Sequence, residues 1–230
     1  MRNILDDILR DINQRSYRDN QKLPSESEMS YKYGVSRHEV RKAYEWLSEM
    51  GYVEKRPGIG HFIRVIDKKI DLDLTGSAGF TDKMHSQGVD VQTENLGVYP
   101  HSRDPLLSSR LEIPPEEPIY RIDRRRTLGE VPVALHISYV SGQRFPSIEV
   151  DGLHVKSMQE YYQEKGYRDF SFEEGTLQTM MGGSEERALL NCPVLVPILL
   201  YEGVWRVQES GEILEFSKVL YRGDYFTYRL

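Results

Sequence analysis

Leu23-Pro24-Ser25-Glu26, Gly34-Val35-Ser36-Arg37-His38-Glu39-Val40-Arg41 and Gly51-Tyr52-Val53-Glu54-Lys55-Arg56-Pro57-Gly58-Ile59-Gly60 decide how this chain is read. Ser25 with Glu28 and Ser36 with Glu39 each fit the S-x-x-E capping box. In that box the hydroxyl accepts an orphan helix N–H and the glutamate reaches back to the cap. Two helices therefore start eleven residues apart. Gly34 lies between them and supplies the left-handed backbone that ends one helix and turns the chain into the next. Behind Ser36, the residues Val40, Ala43, Tyr44, Leu47 and Met50 recur at three- and four-residue steps, one apolar stripe that Gly51 stops. Residues 52–56 and 61–65 then read as two short strands joined by the Pro57–Gly60 turn. Ahead of both helices, Ile4, Leu5, Ile8, Leu9 and Ile12 make a third amphipathic helix. Three helices and a hairpin in this order are a winged helix-turn-helix.

In a helix-turn-helix the first residues of the second helix meet base edges in the major groove. Here those residues are Arg37, His38 and Arg41, with Ser36 at the cap. Arginine's fork matches guanine O6 and N7. The plainer reading, two arginines solvating an exposed face, does not account for the agreement of caps, turn, stripe and hairpin. Gly58 and Gly60 allow the hairpin tip to approach a phosphate backbone closely.

The first 65 residues resemble the DNA-binding domain of the GntR family of bacterial transcription regulators, through Leu-Pro-Ser-Glu, Gly-Val-Ser-Arg, Val-Arg and a glycine-flanked wing. The resemblance implies DNA contacts at Ser25, Ser27, Ser36, Arg37, His38, Arg41, Arg56, Gly58 and Gly60. The chain departs from the family at two of the contact points. Ser27 stands where family members usually carry a DNA-contacting arginine, and Ile59 stands where the wing tip usually carries a cation. Wing contacts then fall to backbone N–H groups, His61 or Arg56. Relatives usually have a few more residues ahead of the first helix, so the N-terminus is expected to be slightly trimmed.

Charge divides the 230 residues. Residues 1–66 hold 12 Lys+Arg against 10 Asp+Glu, and residues 67–230 hold 18 against 26, within a net charge of −6. The acidic excess lies outside the DNA reader, which excludes a nonspecific polyanion coat, since phosphate neutralisation needs a local cation cluster. Cys192 is the one cysteine and is expected to pack beside Pro193. A single cysteine rules out an intrachain disulfide and an all-cysteine zinc site, and fits a reducing cytoplasm. No apolar run approaches a membrane span, and the first residues are not a basic leader ahead of an apolar core. No metal or cofactor is expected.

Residues 67–77 lack core-forming periodicity and read as a linker, which leaves 1–66 as the DNA-binding domain and 78–230 as a second domain. Strand-like runs follow at 89–99, 119–127 and 131–139, the last two joined by Leu128-Gly129-Glu130. Helices are expected over 155–165 and 184–190, and further strands over 194–207, 213–221 and 225–230. The fold class is therefore α+β, an antiparallel sheet with a few helices.

This second block resembles the UTRA effector-sensing domain of the HutC subfamily, with its chorismate-lyase-like fold. The matching pieces are Arg124-x-Arg126, Pro132-Val133-Ala134-Leu135, Ser138-Tyr139, Phe145-Pro146, Ser157, Glu215-x-Ser217 and Arg222-Gly223-Asp224. Arg124 and Arg126 are two apart on a strand, so they share one face of the sheet and converge on one anion, while Arg125 points away. Thr81 and Ser157 offer hydroxyls to complete the cradle. The resemblance implies that Phe80, Thr81, Arg124, Arg126 and Ser157 surround a phosphate, and that His136, Gln159, Glu215 and Tyr221 line the other end. Relatives that sense phosphorylated sugars carry a glutamate at the position of His136 and a tyrosine at that of Gln159. An imidazole does not replace a carboxylate facing an ammonium, so the expected effector is a small anion, a phosphorylated sugar or a phosphonate, and not an amino-sugar phosphate. The competing reading pairs the two arginines with acids such as Glu215 across strands.

Together these readings describe a ligand-responsive transcription regulator, a repressor that acts as a homodimer on a palindromic operator in double-stranded DNA. The rival is an enzyme of chorismate-lyase-like fold acting on a small anion. His85, His101, His136 and His154 are scattered, and no catalytic motif joins them. A constitutive architectural DNA binder is disfavoured by the sparse basic charge.

Overall fold

Both predicted helix starts form as capping boxes. The structure, a computed structural model, describes residues 2–64, 70–73, 79–101 and 103–229. Helix α1 (Arg2–Asn13) is followed by α2 (Glu26–Tyr33) and α3 (Arg37–Glu49). The Ser25 hydroxyl accepts the Glu28 N–H at 3.2 Å while Ser25 N–H donates to the Glu28 carboxylate at 2.7 Å. Ser36 and Glu39 repeat the exchange at 3.2 and 3.0 Å. Gly34 caps α2 at φ +63°, the left-handed region that glycine enters without cost. Ile4, Ile8, Met29, Val40, Tyr44 and Leu47 form the buried seam of the three helices. The buried Tyr44 hydroxyl donates to the Pro24 carbonyl at 2.8 Å, which ties α3 to the turn ahead of α2. Strands β1 (Val53–Arg56) and β2 (Gly60–Ile63) pair antiparallel as the wing.

Next come β3 (Ile70–Asp73), α4 (Phe80–Ser86), β4 (Val91–His101), α5 (Pro105–Leu111), β5 (Ile119–Leu128) and β6 (Val131–Ser141). After these come α6 (Ile148–Asp151), α7 (Met158–Glu164), β7 (Phe170–Met181), α8 (Ser184–Leu190), β8 (Pro197–Val207), β9 (Ile213–Arg222) and β10 (Phe226–Arg229). Six strands form one antiparallel sheet in the order β4-β5-β6-β9-β8-β7. On one face α5 and α8 cover Leu135, Ile137, Phe216 and Leu220. On the other, Ile122, Val140 and Leu214 pack with Phe145, Ile148 and Tyr162 from the α6–α7 segment.

Five elements, β3, α4, α5, α6 and β7, were not foreseen, and one expectation is corrected. The stretch read as linker holds β3, which pairs in parallel with β10 and buries Ile70 and Leu72. Ile70, Leu72 and Leu74 alternate over too short a run to mark a strand, and the partner strand lies at the far end of the chain. The rest of that stretch lies largely outside the described residues. Strand β7 escaped notice because most of it is exposed at the sheet edge and a register shift interrupts it between Glu173 and Thr176. Helices α4 and α5 are seven residues each, too short to show a stripe.

The two domains touch directly. Leu195 N–H donates to the Glu49 carbonyl at 2.8 Å, and Arg64 donates to the Tyr225 hydroxyl. Gly51 has φ +80°, and a Cβ there would lie 2.9 Å from Val196 Cγ2, so glycine is needed both for the turn and for the approach.

Candidate nucleic-acid interface and effector cavity

Arg37 and His38 project into solvent from the first turn of α3, with no side-chain partner among the described residues. Arg41, one turn on, forks onto Glu26 at 3.1 and 2.9 Å. The pair holds the Glu26 carboxyl below its usual range and fixes the guanidinium at the α2–α3 junction. Ser25 and Ser36 are committed to capping, and Ser27 is exposed on α2. At the wing, Gly58 and Gly60 have φ +73° and +137°, and Ile59 at the tip is 60% exposed. Arg56 lies over the Phe62 ring and donates to Glu54 and, at 2.7 Å, to Asn20. His61 on the wing is half-buried: its ring packs on Tyr44 at 4.8 Å, and burial lowers its pKa.

The cavity on the other domain follows from strand register. Arg124 on β5 lies opposite His136 on β6, His136 opposite Val219 on β9, and Val219 opposite Tyr201 on β8. In the flanking rows Arg126 adjoins Ala134 and Tyr221, while Glu215 adjoins Trp205. All these residues alternate onto one face and form the floor of the cavity. Phe80 and Thr81 of α4 close it from one side, and Ser157 and Gln159 at the start of α7 from another. All nine residues expected at an effector site therefore line this one space of about 710 Å³, mouth included. Arg125 points to the opposite face, where it pairs with Glu94 at 2.6 Å.

Among the described residues neither floor arginine is paired directly with an acid. Arg124 donates to Ser138, which donates in turn to Glu215, while Tyr162 donates to the other Glu215 oxygen at 2.7 Å. Arg126 donates to Thr93 and lies 5.7 Å from the Phe80 ring centre. Both arginines are 3% exposed, and each keeps a buried Nε–H with no partner among the described residues. Burial, and then the charge of Arg124, push Arg126 down to about 9. Burial also lowers Arg124, against the opposing pull of Glu215. Two confined cations with orphan donors leave unsatisfied positive potential, since a buried donor without a partner costs about 1–3 kcal/mol.

His136 is buried against Phe80 and Tyr221, and its Nε2 has no partner. Burial, followed by the charges of Arg126 and Arg124, holds its pKa well below the ordinary value, so the ring is neutral at pH 7. The unfolded chain binds a proton near pH 6.5 that the folded chain refuses, so stability is expected to fall as pH drops below that value. His136→Phe should flatten this limb by up to about 1.4 kcal/mol per pH unit. Chemical denaturation of both proteins between pH 5 and 8 measures the difference, and parallel curves would contradict a neutral buried ring.

Sequence reading missed the far wall of the cavity. Phe172, Tyr201 and Trp205 line it, together with Ser217, and Leu72, Asp73 and Lys83 border it on the β3–α4 side. Tyr201-x-Gly203-x-Trp205 does carry a period-two signal, but which face it occupies depends on pairing with β9.

Known proteins share both halves. Residues 1–63 match the family described as bacterial regulatory proteins, gntR family, and residues 86–227 match the UTRA domain. The mannosyl-D-glycerate transport/metabolism system repressor MngR of Escherichia coli strain K12 is 26% identical over 230 residues, covering 100% of this chain and 94% of its own. The transcriptional repressor NagR of Bacillus subtilis strain 168 is 26% identical and covers 90% of this chain and 83% of its own. The crystal structure of PhnF from Mycobacterium smegmatis superposes with a TM-score of 0.64 at 25% identity, covering 95% of each chain. Reader, sheet and cavity together place the chain in the gntR family of bacterial regulatory proteins, among the members that carry a UTRA domain.

Proposed function

We propose that the protein is a homodimeric, cytoplasmic repressor of the HutC type, whose grip on a palindromic operator changes when a small anion occupies the cavity between β5, α4 and α7. The observation that carries this reading is the pair of buried guanidinium groups, Arg124 and Arg126, each with an Nε–H that has no partner, and neither in direct contact with an acid, among the described residues. A phosphate or phosphonate supplies the acceptors they lack. Around it stand the Thr81 and Ser157 hydroxyls, Phe80, and the second group His136, Gln159, Glu215 and Tyr221. The neutral His136 offers an ammonium no counter-charge, which favours hydroxylated over amino-bearing effectors. Relatives named as repressors, MngR and NagR among them, support the direction of control.

Dimerisation is assigned to the opposite sheet face. Beside α8 a groove is lined by the half-buried Met180 and Leu200 over the buried Leu135 and Ile137, with Arg121, Lys218, Glu185 and Glu186 also on its walls. Apolar surface rimmed by both signs of charge suits a two-fold self-contact.

Titration with inorganic phosphate, glucose 6-phosphate, methylphosphonate and glucose tests the proposal. The charged compounds are expected to raise the melting temperature and to shift the affinity for a DNA site selected by the protein from a random pool. Stabilisation by glucose alone would overturn it.

A further inference from the structure

The cavity floor changes character along its length. From β5 to β8 it runs from two guanidinium groups, through the imidazole of His136 and the Glu215 and Ser217 side chains, to an aromatic corner. That corner is built by three rings on two neighbouring strands. Phe172 stands 4.8 Å from Tyr201 and 5.5 Å from Trp205, centre to centre. Gly203, between Tyr201 and Trp205 on β8, makes the room, since a Cβ there would collide with the Phe172 ring. All three rings are partly exposed, and all three line the cavity.

Three strand spacings separate β5 from β8, roughly 14 Å between backbones. An arginine side chain reaching inward leaves a gap longer than one sugar ring between the anion grip and the aromatic corner. From this gradient we infer that the effector is a two-ring anion. Its charged head sits on Arg124 and Arg126, a hydroxylated ring crosses His136, Glu215 and Ser217, and a second ring lays its apolar face against Phe172 and Trp205. The inference rests on the anion reading above and adds the second ring to it. Aromatic side chains present large apolar area in a fixed geometry and select for a flat partner. Buried polar groups mid-floor reward hydroxyls that a simple aryl phosphate would not supply.

Calorimetric titration compares inorganic phosphate, glucose 6-phosphate and 4-nitrophenyl β-D-glucoside 6-phosphate. The arylated compound is expected to bind at least about tenfold tighter than glucose 6-phosphate. In Phe172→Ala, and separately in Trp205→Ala, that ratio should fall to about one. With Trp46→Phe as background, Trp205 is the remaining tryptophan of two. Its fluorescence should then be quenched by the arylated compound and little changed by glucose 6-phosphate. Equal affinities in the parent, or a ratio unchanged in both variants, would overturn the second-ring assignment. So would binding of inorganic phosphate with neither phosphosugar. If none of the three anions binds the folded protein, the anion reading itself fails.

Discussion

Arg126→Leu is expected to weaken anion binding by about 100-fold or more and, at the same time, to raise the melting temperature of the ligand-free protein. The first effect follows from removing charge-assisted hydrogen bonds worth about 1.5–3 kcal/mol each. The second follows from the sign of the pKa shift. Arg126 is held at about 9 in the folded chain, below its ordinary value, by burial and by the charge of Arg124. The unfolded chain therefore holds that proton more tightly, and at neutral pH the buried cation subtracts from stability. Leucine removes that penalty and fills the volume, a change of about 1–3 kcal/mol in favour of folding. Thermal unfolding and phosphate titration of the same variant read both effects. A variant that is less stable and still binds phosphate as the parent does would refute the role assigned to Arg126.

Arg37→Ala combined with Arg41→Ala is expected to reduce affinity for the selected operator by at least about 100-fold, at about 1–3 kcal/mol for each lost base contact. Both side chains are exposed, so folding should be preserved and the loss should appear in binding alone. The two residues are not equivalent in the free protein. Among the described residues Arg37 has no side-chain partner, whereas Arg41 is held by Glu26. Binding isotherms across a salt series separate the effects: a lost base contact changes discrimination between sites, while a lost phosphate contact lowers all sites and flattens the salt slope. Unchanged affinity in the double variant, with its melting temperature intact, would remove α3 from the major groove.

What could be read without coordinates was whatever the chain encodes locally. Ser25 with Glu28 and Ser36 with Glu39 lie within one helical turn, so their capping boxes are written in four-residue windows and form as read. Arg124 and Arg126 share a face because a strand has period two, and that too is local. The aromatic corner was hidden because Phe172, Tyr201 and Trp205 meet only through pairing of β7 with β8, across a bulge in a largely exposed edge strand. The ring contact of His61 was hidden for a similar reason. Its place on the hairpin says nothing of Tyr44, which reaches it from α3.

The parallel pair of β3 and β10 carries four register partners, from Phe226 with Ile70 to Arg229 with Asp73. A ladder this short does not persist by itself. It leans on the apolar packing of Ile70 and Leu72 with Val219, Tyr221 and Phe226, and Leu72 is also a wall of the cavity. Strand β3, which follows the DNA-binding domain in the chain, thus shares the wall that an effector would press upon. Pressure on Leu72 from the cavity side would therefore be felt directly by the β3–β10 pair.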